Sequence, residues 1–166
     1  IMDYTSFPYK LRGDASLWVV SFCDVTTGKV ASKSNSDITR EWIKKVMTHY
    51  DIIIAHNGIK FDFLALKLFG LLDYEISLDG KNTVFDKEVE FADTLIWSRI
   101  FKPDRFGGHG LAAWGQRLGA NEKINFRQVC IDNGYITHDA PKGAEFRQYC
   151  PEMVGYCEMD TIVNRD

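Results

Sequence analysis

The stretch Asp51-Ile52-Ile53-Ile54-Ala55-His56-Asn57-Gly58-Ile59-Lys60-Phe61-Asp62 decides how this chain is read. Residues 51–55 form a solid apolar run, which predicts a strand buried on both faces, as in parallel sheets. Helical periodicity resumes from about Phe61 to Leu72, so Asp62 lies just after a strand and at the start of a helix. Upstream, Ser36 or Asp37 can cap a helix over Ile38–Tyr50 with Trp42, Ile43, Val46 and Met47 on one face. Before it, Ser16–Val25 is β-branched and aromatic and predicts a strand. Thr27-Gly28 supplies a turn, and Lys29–Ser34 alternates as the returning strand of a hairpin. Ile1–Ser6 reads as the end of a buried strand running into a polar turn.

Downstream, residues 73–87 are polar and predict a loop. Val89–Ala92 is a short strand, and Asp93 starts a helix through Phe101. Pro103 and Gly107-Gly108 mark a loop over 102–108, and a helix over His109–Leu118 ends at Gly119. Residues 120–143 hold at most a short helix near Phe126–Ile131, then a loop. A final helix runs from Glu152 to the end, with Pro151 at its N-terminal edge. This order predicts an α/β fold whose mixed sheet is antiparallel at the start and parallel later.

A chain of 166 residues suits one domain, able to bury roughly 70% of its unfolded surface. Aromatic residues make up 13%, too many for a chain that cannot collapse. No apolar run approaches the ~20 residues that span a bilayer, so no membrane role is expected. With 20 basic and 23 acidic residues the net charge is −3, which argues against a protein that coats nucleic acid electrostatically. It leaves room for an enzyme that grips a few phosphates at one site. Cys23, Cys130, Cys150 and Cys157 fit no zinc-ligand spacing and read as reduced, mostly buried thiols. No signal peptide is visible, so a cytoplasmic location is the default expectation. Both ends look like cuts from something longer: Met2 is not first, and the last helix stops without a capping glycine.

Three aspartates sit where chemistry would want them. Asp3 follows the first strand, Asp62 follows strand 51–55, and Asp160 lies in the last helix four residues after Tyr156. That spacing places Tyr156 and Asp160 on one helix face. Three carboxylates meeting at a sheet edge would repel one another unless a divalent cation lay between them, and oxygen-only ligands favour magnesium or manganese. Taken singly, an aspartate after a strand is usually a turn former or cap, the reading given to Asp93, Asp104, Asp132 and Asp139.

The local sequences around these residues lift them above that reading. His56-Asn57-Gly58-Ile59-Lys60-Phe61-Asp62 resembles the second motif of the DnaQ-like 3′–5′ exonucleases. Tyr156-Cys157-Glu158-Met159-Asp160 resembles the third motif of their tyrosine (DEDDy) subclass. Between them, Arg105-Phe106-Gly107-Gly108-His109-Gly110-Leu111-Ala112-Ala113-Trp114-Gly115-Gln116-Arg117-Leu118-Gly119 resembles the proofreading domain of family A DNA polymerases of T7-like short-tailed phages. Phe91-Ala92-Asp93-Thr94-Leu95 fits the same family's strand-to-helix step. One departure stands out: the family's first motif is Asp-x-Glu, and here the chain reads Asp3-Tyr4-Thr5-Ser6. Either Thr5 occupies the position of the glutamate or one residue is missing before Thr5-Ser6.

The resemblance implies a ribonuclease H-like fold with a central mixed five-stranded sheet, and a chain that is one exonuclease domain without its polymerase. It implies hydrolysis of the 3′-terminal phosphodiester of single-stranded DNA by two Mg²⁺ or Mn²⁺ ions held by Asp3, Asp62 and Asp160. Tyr156 would orient the attacking water. Thr5, Asn57, Phe61 and His109 are the candidates for holding the substrate, and Lys60, Arg105 and Arg117 for meeting backbone phosphates. A polymerase domain in cis or in trans is the implied partner. Without the glutamate, activity is expected to be reduced or lost. A catalytically silent module binding a DNA 3′ end or a protein is the alternative, and an exoribonuclease of the same superfamily a further one.

Overall fold

The computed structural model describes residues 16–76, 82–119 and 124–166. The expected strand at 1–6, with Asp3 and Thr5, lies outside the described residues. The chain divides into two compact units: one takes in the described residues of Ile1–Asp37 and Gly115–Asp166, the other Ile38–Trp114.

In the first unit, β1 (Val19–Cys23) and β2 (Val30–Ser34) form an antiparallel hairpin with Val19 opposite Ser34 and Cys23 opposite Val30. Gly28 closes it in the left-handed region, and a Cβ there would press on the Arg165 guanidinium. Helix α6 (Glu152–Arg165) packs on this hairpin. Ser32 Oγ donates to Glu158 Oε1 at 2.7 Å and lies 2.9 Å from Ser21 Oγ, while Arg165 Nε donates to the Val25 carbonyl. Helix α5 (Phe126–Asp132) adds Phe126 and Cys130 to a core with Val19, Phe146, Cys150 and Met153. Burying such side chains contributes about 1.5–3 kcal/mol each before entropy is counted. The irregular stretch between α5 and α6 is tied down by Arg127. Its guanidinium donates to the carbonyls of Ala140 and Pro141 and pairs with Glu145 at 2.9 Å.

In the second unit, helix α1 (Arg40–Met47) begins under Thr39, whose hydroxyl accepts the Trp42 N–H. It buries Ile43 and Met47. Strand β3 (Ile52–Ala55), helix α2 (Asp62–Leu68), β4 (Tyr74–Ile76), β5 (Asn82–Val84), β6 (Lys87–Asp93) and α3 (Thr94–Phe101) follow. The sheet order is β3-β6-β5-β4, with β3 parallel to β6 and the other pairs antiparallel. Helix α4 (Leu111–Leu118) has its residues divided between the units after Trp114.

The α/β class and the mixed pairing hold. Two expectations are corrected. Among the described residues the strands form sheets of two and four, and 73–87 is not a loop throughout: β4 and β5 lie within it. Strand β3 is not buried on both faces. Ile53 is buried, but Ile52 and Ile54 are exposed, since alternate side chains leave the strand on opposite sides and only one side is covered.

Candidate functional site

The loop 56–61 connects β3 to α2 and is braced from below by Asp93. This buried aspartate is the last residue of β6, opposite Ala55 in the parallel ladder. Its Oδ1 accepts the backbone N–H of Asn57 at 2.9 Å, and its Oδ2 accepts that of Ile59 at 3.2 Å. The same Oδ1 accepts Leu95 and Ile96 N–H and so caps α3. One carboxylate thus serves four backbone donors, a charge-assisted arrangement worth more than neutral hydrogen bonds. Thr94 adds a second tie, 2.9 Å from His56 Nδ1 and donating to the Ala55 carbonyl.

The loop's own residues suit its shape. Asn57 sits at φ 68, a conformation asparagine tolerates better than most side chains. A Cβ on Gly58 would lie 2.4 Å from the Ala55 Cβ and 3.2 Å from the Phe63 ring. The turn closes through Phe61 N–H to the Asn57 carbonyl and Phe63 N–H to the Gly58 carbonyl. Phe61 then takes the N-cap position without a side-chain cap, and Asp62 is the exposed first residue of α2. A carboxylate there is favoured by the helix dipole.

His109 lies in a directed chain of hydrogen bonds. Trp114 Nε1–H donates to Ser98 Oγ at 3.1 Å, and Ser98 Oγ lies 2.8 Å from His109 Nδ1. His109 Nε2 is 3.1 Å from the Pro103 carbonyl, which can only accept, so Nε2 carries a proton and donates to it. Both ring nitrogens are therefore engaged within the chain, pinning the 103–109 loop to α3. Arg105 lies 4.4 Å over the Trp114 ring.

Tyr156 and Asp160 stand one turn apart on α6 in the other unit, both partly buried. The Tyr156 ring stacks on Phe126 at 4.9 Å and tilts against Phe146 at 6.2 Å. Oδ1 of Asp160 is shielded from solvent. Burial, reinforced by the neighbouring Cys150, pushes the Cys130 thiol up to about 12, and burial also raises Cys150.

Of the sequence-predicted residues, Asn57, Phe61 and Asp62 are gathered on the braced loop, and Tyr156 and Asp160 on one helix face. Asp3 and Thr5 lie outside the described residues. Among the described residues, no three His, Cys, Asp or Glu side chains cluster so as to hold a metal ion. The sequence marks Asp93 only as a turn former or cap; its grip on the 56–61 loop has no local sequence signal. Among the described residues, no helix is long and apolar enough to cross a membrane.

The fold is α/β, with Asp62 the first residue of α2, Asp93 the last of β6, and Tyr156 and Asp160 one turn apart within α6. The chain is 31% identical over 136 residues to the DNA-directed DNA polymerase of Escherichia phage T7, a match covering 69% of this chain and 18% of the polymerase. The DNA-directed DNA polymerase of Enterobacteria phage T3 matches with the same identity and coverage. The aligned part is thus under a fifth of either relative's length. No family model matches the chain.

Proposed function

We propose that the chain is a 3′–5′ exonuclease of the DnaQ-like tyrosine subclass, acting on the 3′ end of single-stranded DNA as a proofreading activity does. The observation that carries this reading is the 56–62 segment, a loop held by Asp93 that delivers Asp62 at the start of α2. The similarity to phage DNA polymerases supports DNA as the substrate and a polymerase as the working partner. Asp3, Asp62 and Asp160 offer only carboxylate oxygens, a donor set that suits Mg²⁺ or Mn²⁺. Such ions, when bound, neutralise developing charge and acidify water. The chain's own residues do the positioning. Tyr156 is oriented by its stack on Phe126, so that its hydroxyl can direct an attacking water. Phe61 offers a ring to the terminal base, and Asn57 a polar side chain to the sugar or base edge. His109, with both ring nitrogens engaged, acts by holding the 103–109 loop.

Thr5 leaves the first motif one carboxylate short, so the wild-type rate is low. The test is shortening of a 5′-labelled single strand with Mg²⁺ or Mn²⁺. Thr5→Glu should accelerate it by ~100-fold or more, the scale of a lost metal ligand. Asp160→Asn should remove what remains. Absence of 3′-end shortening by both wild type and Thr5→Glu overturns the exonuclease reading in favour of a silent binding module. A fast wild type that Thr5→Glu does not improve overturns the account of Thr5.

A further inference from the structure

We propose that the strip from Trp97 to Phe106 is a second binding surface, outside the 56–62 loop, on which single-stranded DNA lies with its bases against aromatic rings. Its sequence, Trp97-Ser98-Arg99-Ile100-Phe101-Lys102-Pro103-Asp104-Arg105-Phe106, interleaves aromatic and basic residues. The structure presents three rings outward, with Trp97 46% exposed, Phe101 81% and Phe106 97%, and the aliphatic Ile100 between them 69% exposed. Scattered exposed apolar residues are ordinary, but three exposed rings within ten residues of one segment mark a candidate contact site. Trp97 and Phe101 are four residues apart on α3 and so share a side of the helix.

The platform is held in shape. The hydrogen-bond chain from Trp114 through Ser98 and His109 to the Pro103 carbonyl ties the loop after α3 back onto the helix. Arg105, over the Trp114 ring, fixes the segment just before Phe106. A ring presented on a pinned loop loses less freedom on binding than one on a loose loop.

Charge selects the partner. The strip carries Arg99, Lys102 and Arg105 against Asp104 alone, three cations to one anion, in a chain whose net charge is −3. Arg99 and Lys102 are exposed beside the rings. An apolar protein surface would gain nothing from those cations, whereas a polyanion with flat unpaired bases uses both features. Duplex DNA hides its base faces and satisfies only the cations. The choice of DNA over RNA rests on the proposed function; the surface itself requires no cleavage.

The test is fluorescence anisotropy with a labelled oligothymidylate in the presence of a metal chelator, so that binding is read without hydrolysis. Wild type should bind the single strand more tightly than a duplex of equal length at about 50 mM salt, where phosphate contacts are strong. Phe101→Ala and Phe106→Ala should each weaken binding at least about fivefold. Arg99→Gln with Lys102→Gln should lower the slope of log affinity against log salt by about 1.4, at about 0.7 for each contact to a single strand. Both rings are exposed, so these variants should keep the wild-type circular dichroism, and that measurement accompanies each. Wild-type binding that the ring variants leave unchanged overturns the proposal. So does tighter binding of oligouridylate than of oligothymidylate. A change in oligomeric state on Phe101→Ala, with DNA affinity unaltered, makes the strip a protein interface and overturns it as well. Binding that persists where no cleavage occurs with Mg²⁺ or Mn²⁺ upholds the strip while rejecting the exonuclease.

Discussion

Asp93 and Asn57 are joined side chain to backbone across the end of the β3–β6 ladder, at 2.9 Å. The bond links residues 36 positions apart, and with the Ile59 contact it makes the shape of the 56–61 loop depend on a residue outside it.

Asp93→Ala leaves four backbone donors without their acceptor, two in the loop and two at the start of α3. Unmet buried donors and a lost cap together should cost about 3 kcal/mol or more. Asp93→Asn should cost less, because one amide oxygen can still cap α3 while the amide nitrogen opposes Ile59 N–H. Urea unfolding of the three proteins checks the ranking.

Gly58→Ala sets a methyl group against the Ala55 Cβ at 2.4 Å, closer than carbon atoms approach without movement. The strand end and the Phe63 ring must shift, at about 1–3 kcal/mol, the usual range for overpacking. A lowered urea midpoint with unchanged m-value is the expected result. A wild-type midpoint would mean the loop yields freely.

Lys87 reaches the carbonyls of Thr48 and Tyr50 at 3.0 and 3.1 Å and the Asp51 carboxylate at 2.9 Å. The Lys87 hydrogen bond and charge hold the Asp51 carboxyl below its ordinary value of 3.8. That contribution is therefore complete above pH ~4 and disappears as pH falls through the depressed value. Asp51 is almost fully exposed, so Asp51→Asn should barely move stability. Lys87→Met strands two carbonyls as well and should cost about 1–2 kcal/mol. Comparison of the two variants' unfolding midpoints at neutral pH separates the roles.

The Cys130 thiol, raised from 9.0 to about 12 chiefly by burial, gives an alkaline dependence. Above pH 9 the unfolded chain releases this proton and the folded chain keeps it, so stability is complete below 9 and declines as pH rises toward 12. Between about pH 8 and about pH 10, wild type should lose more stability than Cys130→Ala, with paired urea titrations as the measurement. The folded thiol should also react with alkylating agents only as the protein unfolds.

The long elements were legible because their signals are local. Pro151 ahead of a polar-apolar run marked α6, the β-branched run at 51–55 marked β3, and Thr27-Gly28 marked the first hairpin. Strands β4 and β5 were not, since three residues are too few for a period of two to show and Asp73, Glu75 and Asn82 look like loop. Their strand character comes from pairing onto β6, a tertiary cause. The candidate site divides the same way. Spacing alone placed Tyr156 and Asp160 on one face of α6. Nothing near Asp93 in the chain indicated that its carboxylate would reach back to Asn57 and Ile59. Nor did His109's neighbours in sequence indicate Ser98 and the Pro103 carbonyl as its partners.

The pairing of Ala55 with Asp93 has a consequence for folding errors. Only at this rung does a carboxylate meet the amides of the 56–61 loop. A slip of β6 by one residue would bring Ala92 or Thr94 to that place, and every side chain of the strand would change faces. Neither replacement offers the two charged acceptor oxygens with which the carboxylate meets Asn57 and Ile59. A misaligned sheet would therefore be left with an unformed loop and an unmet set of donors. The loop penalises the wrong alignment and so helps to select the right one.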